Sequence, residues 1–305
     1  MKKLLIVLLS LTIYNVSFAC NVCGCSASNQ YLGILPQIAN NFAGIQYQYR
    51  TFESTHEAEP GESMESVSKE TYRTLQLWGR YNISKRIQAY AFVPYIANNR
   101  VEDNTKTISS GIGDITLLAN YRVTGANCNG RKIQHTLLLG GGVKLPTGRY
   151  DKQSIRAEET LPNMQPGTGS YDFIVNTNYT VQYNSFGLNL DASGVLPTAN
   201  SEKYKFGNRV QCGLVAFKTF TWKQISLIPQ IGSRYEYASA DYDNYSLRWA
   251  NDMTGGNRVY LFGGVQATYK RYGAQVLVYQ PLYQHYASGL VNNTFKSEAG
   301  LYFLF

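Results

Sequence analysis

Three of the five cysteines in this 305-residue chain fall within six residues, as Cys20, Cys23 and Cys25 of "ACNVCGC". A C-x-x-C-x-C spacing puts three thiols on one short loop. As thiolates they suit a soft ion such as Cu(I) or Zn. In an oxidising compartment the same thiols favour disulfides, and an odd total leaves at least one unpaired within the chain. Cys128 is a candidate partner, so Cys20, Cys23, Cys25 and Cys128 form one metal-or-disulfide set. Cys20, directly after Ala19, also has the position of an acylated cysteine, with Ser17 standing where an apolar residue is usual. Disulfide, soft-metal loop and acyl anchor remain open, in that order.

Catalytic groupings are sparse. A lipase-type site needs a serine beside an oriented histidine. His56, His135 and His285 show no such H-x-S spacing on one face. Asp241 and Asp243 share a loop, but the histidines belong to others. The chain is therefore expected not to be an enzyme, and no catalytic residues are assigned.

The elements that position the thiols start with an export signal. Lys2 and Lys3 precede a mostly apolar run from Leu4 to about Ile13, and Ser17-Phe18-Ala19 supplies small residues for cleavage. Residues 1–19 are read as a signal peptide and 20–41 as a Cys-rich periplasmic segment or plug. Residues 42–305 are read as the main domain. Without Lys2 and Lys3 the formal charge falls from +8 to +6. With no Lys/Arg-rich run, a nucleic-acid partner is excluded.

Period-two alternation dominates residues 42–305. In "GDITLLANYRV", Ile115, Leu117, Tyr121 and Val123 oppose Asp114, Thr116, Asn120 and Arg122. In "AGIQYQYRT", Ile45, Tyr47 and Tyr49 oppose Gln46, Gln48 and Arg50. Twelve such segments are predicted: 42–54, 70–83, 86–97, 111–124, 133–146, 170–183, 185–197, 206–220, 223–237, 257–270, 272–282 and 293–305. The eleventh is interrupted by Pro281. Connections alternate between tight turns, such as Asn184–Ser185, and long polar loops, such as 147–169. The turn at 125–132 is intermediate.

Keeping all long loops at one end is the habit of a transmembrane barrel. The expectation is an all-β, antiparallel up-and-down barrel of about twelve strands, with short periplasmic turns and long external loops. The 25 tyrosines then serve as interfacial girdles. "EAGLYFLF" resembles the C-terminal assembly signal of such barrels, through Glu298, Gly300, Phe303 and Phe305. The expected location is the outer membrane of a Gram-negative bacterium, with both termini periplasmic. Expected partners are outer-membrane lipid, a small-molecule solute and the barrel-assembly machinery.

The polar faces turn inward in this reading. They nominate Gln46, Gln48, Arg50, Arg80, Asp114, Arg122, Lys144, Asp172, Asp191, Arg209, Arg234, Glu236, Arg258 and Glu298 as lumen-lining residues. A lumen that is wet or internally paired tolerates these charges, whereas the lipid face does not. Cys212 falls on the lipid face as a small apolar residue.

Two stretches, "GIGDITLLANYRV" (111–123) and "GGGVKLPTGRYD" (140–151), together with "FVPYI" (92–96), resemble an outer-membrane family associated with meta-pathway phenol degradation. That family is similar in style to the long-chain fatty-acid and aromatic-hydrocarbon transporters. The resemblance implies a barrel and the passage of a small solute, hydrophobic or aromatic molecules among the candidates. Physically, Gly111 and Gly113 allow tight backbone at a strand entry, and Pro146-Thr147-Gly148 ends a strand. The alternative function is a non-transporting barrel whose N-terminal cysteines bind or sense Cu(I) or Zn.

Overall fold

The structure is a computed structural model. It describes residues 40–56, 66–102, 105–124, 133–151, 162–243, 248–249 and 254–305. Twelve antiparallel strands close on themselves. They are β1 Phe42–His56, β2 Ser66–Asn82, β3 Ile87–Glu102, β4 in two parts (Thr105–Ile112 and Ile115–Thr124), β5 Ile133–Leu145 and β6 Asp172–Tyr183. The circuit continues with β7 Phe186–Pro197, β8 in two parts (Arg209–Lys218 and Phe220–Trp222), β9 Ile225–Ala238, β10 Gly256–Tyr269, β11 Tyr272–Tyr286 and β12 Val291–Leu304. Each strand pairs with its sequence neighbours, and β1 closes on β12 from Phe42↔Leu304 to Ser54↔Val291. Closure leaves no sheet edge, which is the condition for backbone to cross a bilayer as strands.

The alternation sorts side chains as a lipid solvent requires. Ile45, Leu77, Leu117, Val175, Leu190, Ile231, Val276 and Leu301 are exposed on the outer wall. Gln46, Gln76, Asn120, Asn178, Asp191, Gln230 and Glu298 are buried inside it. The inversion of the soluble pattern comes from the outer wall facing hydrocarbon and the inner one facing polar groups. Cys212 is exposed on the outer wall and forms no disulfide among the described residues.

The interior is layered rather than uniformly polar. Toward the end that holds Asn41 and Phe305, Phe42, Trp78, Tyr90, Phe92 and Tyr302 join in one apolar cluster. Toward the long-loop end, Phe52, Tyr72, Met164, Tyr286 and Val291 form another. Between them lies a belt of charged side chains.

Four strands exceed the expected bounds by four residues or more. β2, β3, β4 and β11 run further toward the long-loop end than 70, 97, 111 and 282. Pro281 does not interrupt β11. The register steps from Val259↔Tyr283 to Tyr260↔Pro281, so Leu282 bulges and the ladder absorbs the missing donor. The buried positions accordingly switch from odd (Leu277, Tyr279) to even (Tyr286). A second irregularity at Thr51/Phe52 does the same to β12, where Val291 and Asn293 are buried on one side of the step and Lys296 and Glu298 on the other.

Wall curvature brings inward-facing backbone close together. A Cβ on Gly264 would meet Val276 O and sit 2.6 Å from Leu277 Cδ2, whereas one on its outward neighbour Gly263 would find nothing nearer than Gln230 O at 3.8 Å. Gly264→Ala is therefore expected to cost about 1–3 kcal/mol as overpacking. Gly263→Ala is expected to be near neutral. Urea midpoints of the two variants in one detergent check the contrast.

Candidate functional site

The segment 162–170 (PNMQPGTGS) turns into the barrel, and all of its residues except Gly169 are buried. It belongs to the predicted long polar loop 147–169, and its inward course is a feature that the sequence reading did not foresee. That course has a cause in the motifs already singled out. Asp114 sits at the break between the two parts of β4 and accepts three hydrogen bonds. One comes from Gly148 N at 2.9 Å, and two come from Thr168, through its backbone N at 2.9 Å and its Oγ1 at 2.7 Å. Thr147 Oγ1 donates to Gly113 O at 3.2 Å and accepts from Ile115 N at 2.9 Å.

Gly167 N donates to Arg149 O at 2.9 Å. A Cβ on Gly148 would stand 2.7 Å from Gly167 Cα, and one on Gly113 would stand 3.1 Å from Pro166 O. The G-x-G-D and P-T-G motifs are thus one latch, with glycines where the inward segment touches backbone.

A buried cation completes the latch. Lys144 Nζ lies 2.7 Å from Asp172 Oδ2 and 3.3 Å from Asp114 Oδ2, and 2.8 Å from Thr168 Oγ1. The side chains of Lys144, Asp114 and Asp172 are at most 5% exposed. Ser170 Oγ donates to Asp172 Oδ1 at 3.0 Å, and Asn98 Nδ2 holds Met164 O at 2.9 Å. Between this segment and the wall is a cavity of about 30 Å³, lined by Arg50, Gln48, Thr74, Asn98, Gln165 and Phe206 among others. Such a space holds about two waters. The segment fills the inner side of the wall at that level.

Next to the cavity runs a hydrogen-bonded row on β1. Arg50 Nη2 donates to Gln48 Oε1 at 3.1 Å, Gln48 Nε2 to Gln46 Oε1 at 3.4 Å and Gln46 Nε2 to Glu298 Oε2 at 3.3 Å. Across the interior, Lys296 Nζ on β12 reaches past two strands to Glu236 Oε1 at 2.6 Å. Its ammonium lies 4.5 Å from the Tyr279 ring centre and 4.9 Å from that of Tyr260. Arg258 sits over Tyr286 at 3.9 Å and Phe52 at 4.9 Å. Arg234 lies 5.7 Å from both Phe262 and Tyr279. Aromatic faces compensate part of the desolvation of these cations.

Gln46, Gln48, Arg50, Arg80, Asp114, Lys144, Asp172, Asp191, Arg234, Arg258 and Glu298 are all buried inside the barrel, while Arg122, Arg209 and Glu236 are half-buried. Asp114, Lys144 and Asp172 come together at the latch. Gln46, Gln48, Arg50 and Glu298 share the β1 row. Arg80 stands apart at the turn end, donating to Asn40 O. Sequence reasoning missed Lys296, although its even spacing from Glu298 places it on the same face. It also missed the whole of 162–170. Cys20, Cys23, Cys25 and Cys128 lie outside the described residues. His135 is exposed, with Nδ1 2.7 Å from Tyr179 Oη.

Above the strands, Asp241 pins the loop end. Its Oδ2 accepts from Tyr204 Oη at 2.7 Å and its Oδ1 from Gly207 N at 2.6 Å. Burial pushes its carboxyl above the usual aspartate range, and the hydrogen bonds and the charge of Arg209 oppose this only in part. The folded state therefore holds the proton to higher pH than the unfolded one. This stabilisation is complete below the ordinary aspartate pKa and is lost as pH rises through the raised one. Asp241→Asn is expected to flatten that dependence. Hydrogen exchange at the Gly207 amide, corrected for intrinsic rate, reads it in both proteins.

The fold and the polar interior are those of an outer-membrane β-barrel. Among solved structures, the chain is similar to the COG4313 outer membrane channel from Pseudomonas putida F1, at 13% identity and a TM-score of 0.63 over 92% of this chain and 99% of that one. It also matches the β domain of the Bordetella autotransporter BrkA, at 10% identity and a TM-score of 0.46 over 87% of this chain and 100% of that one. At these identities the likeness concerns the fold. No family model and no curated protein matches the sequence.

Proposed function

We propose that this barrel is an outer-membrane channel for a small solute, closed here by the segment 162–170 and opened when the Asp114–Lys144–Asp172 latch lets that segment move. The observation that carries the reading is the buried segment itself, held by polar contacts at Asp114 and Lys144 and by Met164 packed in the apolar cluster. A wall built only for stability has no need of a detachable loop inside it.

The cavity pairs hydrogen-bonding groups (Arg50, Gln48, Asn98) with apolar ones (Ile96, Pro166, Phe206). That mixture suits a small solute with one polar and one apolar side, such as a hydroxylated or carboxylated aromatic compound. Purely hydrophobic cargo fits it poorly, because the buried amides would lose water without gaining partners. The resemblance to the meta-pathway phenol-degradation family supports the aromatic part of this reading.

Purified protein in planar bilayers is expected to show rare openings that become frequent in Lys144→Met. Absence of conductance from both proteins, with folding confirmed by heat-modifiable gel migration, would reject the channel reading.

A further inference from the structure

Among the described residues, six cations mark the tight turns: Lys85 and Arg86 between β2 and β3, Lys218 at the end of the first part of β8 with Lys223 just before β9, and Lys270 and Arg271 between β10 and β11. Among the described residues, no aspartate or glutamate lies in these turns or in Asn184–Ser185. The opposite end mixes its charges. There Lys69 pairs with Glu53 at 3.6 Å, Arg100 with Glu102 at 2.7 Å and Arg149 with Asp151 at 3.2 Å.

At the turn end three of the six cations, Lys218, Lys223 and Lys270, lie against rings. Lys218 Nζ is 4.5 Å from the Phe186 ring centre and 4.8 Å from that of Phe220. Lys223 is 5.9 Å from Trp222, and Lys270 is 5.2 Å from Tyr269. Arg86 Nη1 donates to Tyr121 Oη at 3.0 Å. Phe186, Phe220, Trp222, Tyr269 and Tyr121 are all exposed on the outer wall. An exposed aromatic belt on a barrel sits at the boundary between hydrocarbon and water. The six charges are therefore at headgroup depth.

The turn backbones add an independent observation. Asn184, Lys223 and Lys270 have φ of 51°, 53° and 54°. This left-handed conformation favours glycine or asparagine, and Asn184 obeys the preference. Lysine takes the strained position in the other two turns. Hairpin geometry alone does not account for that choice.

We propose that the turn end is a docking surface for anionic phospholipid headgroups in the adjoining leaflet. The lysine and arginine groups would hold the phosphodiesters, and the neighbouring rings would fix their depth. Charge complementarity and the absence of competing carboxylates among the described turn residues commit the surface to this partner. The inference holds whether or not the barrel conducts.

The test compares the full-length protein with two variants in nanodiscs of phosphatidylcholine mixed with phosphatidylglycerol. Retained lipid is read by native mass spectrometry. Lys223→Asn/Lys270→Asn removes two charges while supplying the residue the turns prefer, so it is expected to melt no lower than the parent. It is also expected to lower phosphatidylglycerol selectivity, by about fivefold for each cation removed. Lys69→Gln/Lys106→Gln, at the other end, is expected to keep the parent's selectivity. Equal loss in both variants, or unchanged selectivity in the turn-end variant, overturns the proposal. So does retention of lipopolysaccharide in place of phosphatidylglycerol through these lysines.

Discussion

Lys144→Met is expected to cost the barrel about 3–5 kcal/mol, the usual penalty for removing one partner from a buried charge pair. The two carboxylates it leaves are not equally affected. Asp114 keeps three hydrogen bonds, from Gly148 N, Thr168 N and Thr168 Oγ1. Asp172 keeps one from Ser170 Oγ while losing an ammonium at 2.7 Å. Adding Asp172→Asn to Lys144→Met should therefore recover most of the loss, and adding Asp114→Asn should recover none.

The loosened segment 162–170 should also become cleavable by added protease in the Lys144→Met variant. Urea midpoints and cleavage mapping of the three proteins check both statements. Equal rescue by the two asparagine substitutions would contradict the asymmetry.

Much of the barrel was legible because a strand with lipid on one side and a polar interior on the other must alternate. Twelve segments of residues such as Gln46-Tyr47-Gln48-Tyr49 announce twelve strands. Their membrane-facing stretches are positioned within a few residues. The additions at Ser66–Lys69 and Asn98–Glu102 escaped notice because strands rising above the bilayer no longer need an apolar side. The bulges at Leu282 and Thr294 escaped for another reason. Each inverts the odd–even pattern, and a short sequence window reads inversion as the end of a strand.

The latch was half legible. Gly113-Asp114 and Thr147-Gly148 stood out as motifs, yet their meaning lies in contacts with Gly167 and Thr168, which carry no periodicity. A run such as Pro162-Asn163-Met164-Gln165-Pro166-Gly167 has the composition of an external loop. Its burial comes from anchors on β4 and at the end of β5, and those anchors are visible only once the barrel is closed. The side chain of Lys296 gave a weaker kind of signal. Its face could be read from Glu298, but a partner three strands away on β9 could not.

That cross-barrel pair gives the second large effect, and its two halves should not be equivalent. Glu236 faces Lys296 directly, and Arg50 and Arg234 are near enough to act on it electrostatically. Removing Lys296 leaves the carboxylate with two cations still beside it. Removing Glu236 leaves Lys296, Arg50 and Arg234 facing one another, with Glu298 as the remaining opposite charge acting on Lys296. Like charges at low dielectric repel strongly, and Lys296 is 2% exposed.

Glu236→Gln is therefore expected to cost about 3–5 kcal/mol, and Lys296→Met distinctly less. In the double variant the Lys296→Met change should relieve part of the Glu236→Gln loss, since it removes one of the crowded cations. Added chloride should do likewise for Glu236→Gln by pairing with the crowded cations, and should do little for Lys296→Met. Urea midpoints of the three variants at low and high salt test the order. A Lys296→Met loss as large as that of Glu236→Gln would show that the pair, and not the surrounding cations, sets the energetics of this belt.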